Sequence, residues 1–260
     1  MGKMFAAERR NRIMDILNER QRVTIKDLSS EIHVSEATLR SDLTKLEEDG
    51  LLLRTHGGAM LSDQTDSDNS FSSRERKNKN EKTAIAKQAV ELISDGQCIM
   101  LDASSTALEL ARILADMNIR LTVVTSGIKT ALELNEHPDI TVILLGGIVK
   151  RGSHSLEGSL GVAILNQIHI DIMFTSANGF SLDSGLTDFS VYEVELKKAM
   201  VKASEKVVAL LDHSKLNKSS IASFSSIHQI DTIIIDKNIS DMDMKKIKDH
   251  NIKVITVSTD

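Results

Sequence analysis

One cysteine, one proline, one tyrosine and no tryptophan stand in a chain of 260 residues. Each scarcity excludes something. A lone Cys98 cannot close an intramolecular disulfide, which fits a reducing compartment. Aromatic residues make up 3% of the chain, too few for a platform on which bases or sugars stack. No apolar run approaches the ~18–20 residues of a membrane helix, and the opening MGKMFAAERRNR lacks the apolar stretch of a signal peptide. A cytoplasmic protein without a membrane partner is expected. None of the eight histidines lies three or four residues from another, so no metal-ligand set is legible, and neither metal nor cofactor is expected.

The net charge is −5, which would suit many cytosolic enzymes. Positive charge is concentrated at the start: residues 1–26 hold seven basic and three acidic side chains. Such clustering permits contact with a phosphate backbone without establishing it.

Residues 1–61 read as three helices and a hairpin. Ile13, Ile16 and Leu17, preceded by Met4 and Phe5, give an amphipathic helix to about Arg20. Thr24 is placed to cap a second helix with Ile25, Leu28 and Ile32 inside, and Ser35 a third with Leu39, Leu43 and Leu46 inside, ended by Gly50. The short His33-Val34 turn forces a steep crossing, the helix-turn-helix arrangement. Leu51–His56, Gly57-Gly58 and Ala59–Leu61 predict a two-stranded wing. On the third helix Glu36, Thr38, Arg40, Ser41 and Lys45 fall outward, and hydroxyls with an arginine suit a major groove. A solvated face of a protein-interaction domain has the same pattern.

Residues 62–79 have linker composition, with Phe71 the one large apolar side chain. From 80 to 260, seven apolar strands (97–101, 121–125, 140–145, 171–176, 206–212, 231–236, 252–257) alternate with helices such as 83–94, 105–116, 128–136, 190–204 and 240–250. This is the pattern of an α/β domain with a mainly parallel sheet covered on both faces. Asp102-Ala103-Ser104-Ser105-Thr106 follows the first strand and opens a helix, as an anion site or a plain N-cap would. Thr125-Ser126-Gly127 and Gly146-Gly147 end the next two strands, where open α/β sheets bind ligands. Neither a dinucleotide fingerprint nor a P-loop is present. Lys197, on a helix, would ordinarily be a solvated lysine.

Two stretches carry a family resemblance. Ser35–Leu43 reads as VS-x-x-T-[IL]-R-x-DL, and LEEDGLLLRTHGGA follows at Leu46–Ala59. Through these, residues 5–60 resemble the N-terminal domain of the DeoR family of bacterial transcriptional regulators. Residues 75–257 resemble its C-terminal domain, through Ser155–Gly158, Ser176-Ala177-Asn178-Gly179, Gly185-Leu186-Thr187, Glu193–Lys197 and Asp212–Lys215. Ser41 stands where a second arginine is common, and His33 where glycine or asparagine is usual; histidine tolerates a left-handed backbone better than a branched residue does.

The resemblance implies a winged helix-turn-helix with its motif over about Arg22–Ser41, and a sensor domain similar in fold to ribose-5-phosphate isomerases. It implies operator DNA as partner, contacted from Arg22, Thr24, Ser35, Glu36, Thr38, Leu39, Arg40, Ser41 and Lys45, with Arg54 and His56 in the wing. It also implies a phosphorylated-sugar effector. Ser104, Ser105 and Thr106 would hold the phosphate, and Asp102, Asn178, Lys197 and Glu193 would surround the sugar. Thr125, Ser126, Gly146, Gly147 and Gly179 would line the same edge, and loops 148–157 and 180–190 would select the sugar. A homodimer or homotetramer, nucleoid-associated when bound to DNA, follows from half-site recognition. The expected function is repression of a carbohydrate operon, relieved by the effector, without catalysis. The alternative is an isomerase-like enzyme with an accessory DNA-binding domain. Asn178 argues against it, because it replaces the acidic third residue of the family's usual Gly-Ala-Asp-Gly and cannot act as a base.

Overall fold

A computed structural model describes residues 6–20, 22–48, 51–55, 57–60, 71–149, 153–236 and 240–258. The chain divides into two units, with the division between Arg74 and Glu75. Met4, Phe5, Gly50, His56, Leu61 and residues 62–70 lie outside the described set, so the expectations placed on them do too.

In the first unit, α1 (Ala6–Arg20), α2 (Ile25–Ile32) and α3 (Glu36–Glu48) bury Ile13, Ile16, Leu17, Leu28, Leu39, Leu43 and Leu46. Thr24 caps α2, its Oγ1 accepting from Asp27 N at 3.1 Å, and Ser35 Oγ accepts from Thr38 N at 3.3 Å at the start of α3. His33 closes α2 in the left-handed region, φ 59, its N–H donating to Ser29 O. The wing strands β2 (Leu53–Thr55) and β3 (Gly58–Met60) gain a third that was not expected, β1 (Arg22–Thr24), in the order β1-β3-β2. Three residues were too few for its alternation to register. Gly58 is obligatory, because a Cβ there would lie 1.9 Å from Val23 O. Asp42 is buried under α1, accepting from Arg9 Nε at 2.5 Å and Nη2 at 3.2 Å.

Helices occupy part of the segment expected as a linker: α4 (Phe71–Arg76) and the start of α5 (Lys79–Val90). So short a helix needs tertiary partners. Phe71 is buried, and Glu75 is paired to cations of the second unit.

That unit holds a seven-stranded parallel sheet in the order β15-β14-β12-β9-β4-β5-β6. Its strands are β4 (Cys98–Leu101), β5 (Leu121–Thr125), β6 (Ile140–Leu144), β9 (Ile170–Thr175), β12 (Ser204–Leu211), β14 (Thr232–Ile235) and β15 (Lys253–Thr256). The helices are α6 (Ser105–Ala115), α7 (Ile128–Leu134), α8 (Val162–Leu165), α9 (Val191–Ala203) and α10 (Asp241–Lys248). Alternate strand residues feed two cores: Ile99, Leu101, Val123 and Phe174 on one face, Met100, Val124, Met173 and Ala209 on the other. A hairpin of β7 (Ile148–Val149) with β8 (Leu156–Glu157), and a small antiparallel sheet of β10 (Gly179–Ser181), β11 (Gly185–Asp188) and β13 (Ala222–Ser225), decorate the carboxyl side. From β4 the chain proceeds outward through β5 and β6, then returns to place β9 on the other side of β4. That reversal is a topological switch point, where such sheets open a crevice at their carboxyl ends.

Candidate functional site

Two surfaces carry the expected chemistry, one in each unit. On α3, Ser35, Glu36, Arg40, Ser41 and Lys45 are exposed, as are Arg22 and Thr24, while Thr38 is half-buried. Among the described residues Arg40 pairs only with Glu36, i,i+4 at 3.4 Å, both side chains about half exposed, an interaction weak enough to yield to a stronger acceptor. Arg54 N donates to Glu47 Oε1 at 2.9 Å and its Nη1 to Thr44 Oγ1 at 2.8 Å, which ties the wing to α3. One candidate is corrected. Leu39 is 0% exposed and belongs to the core, because it sits on the same helical stripe as Leu43 and Leu46.

In the second unit, Asp102 follows β4 and is wholly buried. Its Oδ1 accepts from Ser104 N at 3.0 Å, and its Oδ2 from Thr175 Oγ1 at 2.6 Å and Ser176 N at 3.0 Å, bridging the switch point between β4 and β9. The fourth donor is Lys197 Nζ of α9, at 3.0 Å. Lys197 is 2% exposed, not the solvated lysine its helix suggested. It also reaches Asp188 Oδ2 at 2.8 Å, Ser176 O at 3.0 Å and Glu193 Oε1 at 3.5 Å, with its ammonium 4.7 Å from the Phe224 ring centroid. Burial would push the Asp102 carboxyl up, but the Lys197 charge and the bonds from Ser104, Thr175 and Lys197 outweigh it and hold it below the usual carboxylate range. Burial would likewise lower Lys197, and Asp102, Asp188 and Glu193 reverse this, raising it well above an ordinary lysine. Three carboxylates thus converge on one ammonium.

Beside this cluster, Ser104 caps α6, its Oγ accepting from Ala107 N at 3.1 Å. The capping role is therefore taken by Ser104 alone. The hydroxyls of Ser105 and Thr106, in the first turn, have no hydrogen-bond partner among the described residues, and neither does that of Ser126 next to the start of α7. All three residues are buried. Thr125 Oγ1 turns the chain after β5 by accepting from Gly127 N at 3.0 Å.

Other expected residues stand differently. Asn178 donates from Nδ2 to Ser220 Oγ at 3.2 Å rather than to Asp102, away from the Lys197 cluster's hydrogen bonds. Gly147 is a packing glycine, since a Cβ would lie 2.7 Å from Glu157 O, and Gly146 O is crowded against Gly161. Gly179 is confined by Lys218 O. Asp188 and Thr175 escaped the sequence reading, because neither sits at a helix start or in a glycine turn. Glu157, within the Ser155–Gly158 stretch, is buried and accepts from Ser190 Oγ at 2.9 Å. Separately, Glu81, His213 and Asp236, and also His169, Asp171 and Glu205, bring ligand-type atoms within 4.8 Å of one another. Sequence spacing could not reveal either group, because their members come from separate segments. Asp236 is already engaged by His213 Nδ1 at 2.6 Å and His213 N at 2.5 Å.

Among the described residues no helix is long and apolar enough to cross a membrane. Residues 9–65 match the DeoR-like helix-turn-helix domain, and residues 77–237 the DeoR C-terminal sensor domain. The chain is 45% identical over 251 residues to the HTH-type transcriptional regulator GolR of Listeria innocua, covering 96% of this chain and 98% of that one. It is 33% identical to the HTH-type transcriptional repressor GlcR of Bacillus subtilis over 90% of each chain, and 30% identical to a putative aga operon transcriptional repressor of Escherichia coli O157:H7 over 96% of this chain and 94% of that one. A solved ribose 5-phosphate isomerase A from Neisseria gonorrhoeae is similar over 53% of each chain, with 20% identity and a TM-score of 0.40. The chain belongs to the DeoR family of helix-turn-helix transcriptional regulators.

Proposed function

We propose that the chain represses a carbohydrate-utilisation operon by binding operator DNA through α3 and the wing, and releases it when a phosphorylated sugar occupies the carboxyl edge of the sheet. The observation that carries the effector reading is the set of three hydroxyls, on the largely buried residues Ser105, Thr106 and Ser126 at the openings of α6 and α7, that hold no hydrogen bond among the described residues. First-turn N–H groups have no carbonyl partner within their own helix, and the helix dipole favours an anion there. The phosphate therefore sits at the helix ends. The Asp102 and Asp188 carboxylates gathered at Lys197 suit the opposite end of the ligand, because polyol hydroxyls are donors and carboxylates accept.

Repression is supported by the names of the GlcR and aga-operon relatives. Isomerisation would need a carboxylate free to carry a proton beside a carbonyl. Asp102 is held ionised by four donors, and Asn178 is no base, so both favour binding without turnover. The working form is a cytoplasmic homodimer or homotetramer, one helix-turn-helix to each half-site. A thermal-shift screen of matched free and phosphorylated sugars tests the phosphate. Stabilisation by the phosphorylated member alone is expected; equal stabilisation by both would remove Ser105, Thr106 and Ser126 from the site.

A further inference from the structure

Glu75 is the first residue of the second unit, next in the chain to the last residue of the first. Its two carboxylate oxygens are taken by different helices: Oε1 pairs with Arg112 of α6, and Oε2 with Lys129 Nζ of α7 at 2.7 Å. These are the two helices that open at Ser105-Thr106 and just after Ser126. Arg112 lies seven residues beyond Ser105, about two turns or ~10 Å along a rigid helix, and Lys129 is the second residue of α7. A displacement of either helix opening therefore moves a cation held by Glu75.

The joint is braced. Arg112 also pairs with Glu109 and with Glu133 Oε2 of α7 at 3.8 Å, and Glu109 accepts from Thr83 Oγ1 of α5 at 3.2 Å. Arg112 and Lys129 side chains stay about one-third exposed, so the pairs contribute little to folding. A carboxylate clamped between two helices at the point where the chain leaves for the DNA-binding unit is suited to transmit a shift rather than to hold the fold.

We propose that Glu75 is the coupling residue, conveying the relative position of α6 and α7 to the DNA-binding unit. This rests on the effector-site reading above. Because coupling is reciprocal, it can be read from the DNA side with no effector present. The experiment is hydrogen–deuterium exchange of the full chain, with and without a duplex selected by the chain from random DNA. In wild type, duplex binding changes exchange in peptides over 104–108 and 126–130. In Glu75→Gln, and in Lys129→Met as the second variant, that change is lost, while duplex affinity stays within about twofold and the thermal midpoint is retained, as expected for partly exposed ion pairs. An unaltered exchange response in the variants overturns the proposal, and so does a wild-type response absent from those turns. A failed sugar-phosphate screen alongside a positive exchange result removes the ligand chemistry and leaves the coupling intact.

Discussion

Lys197 places its ammonium 3.0 Å from Asp102 and 2.8 Å from Asp188, and all three side chains are almost wholly withdrawn from solvent. The same ammonium lies 3.5 Å from Glu193 Oε1, so three carboxylates converge on it. Lys197→Met removes the buried partner of Asp102 and Asp188, which costs about 3–5 kcal/mol by the behaviour of broken buried pairs. Urea denaturation of the full chain measures it. A loss below about 1 kcal/mol would mean the ion cluster does not form in solution.

The depressed Asp102 carboxyl makes a pH statement. Its folded pKa lies below its unfolded one, so the stabilisation is present above the unfolded value and is lost as pH falls through the folded value. Glu75 shifts the same way, burial opposing ionisation and hydrogen bonds from Lys129 and Arg112 outweighing it, but its partly exposed pairs add little to the acid limb. Stability should fall steeply below about pH 4, the ordinary carboxylate range. Asp102→Asn should flatten that acid limb in urea midpoints taken from neutral pH downward. An unchanged slope would contradict the assignment.

Arg40 and Asp42 stand two residues apart on α3 and should separate cleanly. Arg40 is exposed, so Arg40→Ala should weaken operator binding by about 1–3 kcal/mol with the thermal midpoint unmoved. Asp42 is buried against Arg9, so Asp42→Ala should destabilise the first unit by about 1.5–3 kcal/mol through loss of charged hydrogen bonds. Operator titrations and thermal melts of both variants check this. Equal operator affinity for Arg40→Ala and wild type would remove α3 as the reading helix.

The wing gives a fourth test. A Cβ at Gly58 would overlap Val23 O, so Gly58→Ala must part β1 from β3. Reduced operator affinity with an unchanged urea transition of the second unit is expected; wild-type affinity would mean the wing takes no part in binding.

Much of this was legible in the residues. All seven strands of the large sheet stand out because a parallel sheet buried on both faces writes continuous apolar runs, as in ITVILL and DTIIID. Thr24, Ser35 and Ser104 announce their helices because capping is a local interaction. What escaped depends on contacts between distant segments. Lys197 looked solvated because its three carboxylates arrive from β4, β11 and its own helix. β1, β7 and β10 are too short for periodicity. Glu75 looked like linker because Arg112 and Lys129 lie 37 and 54 residues further on.

We propose that a phosphorylated sugar held at the carboxyl edge of the sheet lowers affinity for operator DNA. Its most direct test is an operator titration of the full chain, at fixed salt, with matched free and phosphorylated hexoses, pentoses and trioses. One phosphorylated sugar should weaken binding by roughly 5–150-fold, the usual span of allosteric coupling, with its free counterpart inert. Unchanged operator affinity across the panel, with calorimetry showing that a phosphorylated member does bind, would contradict it.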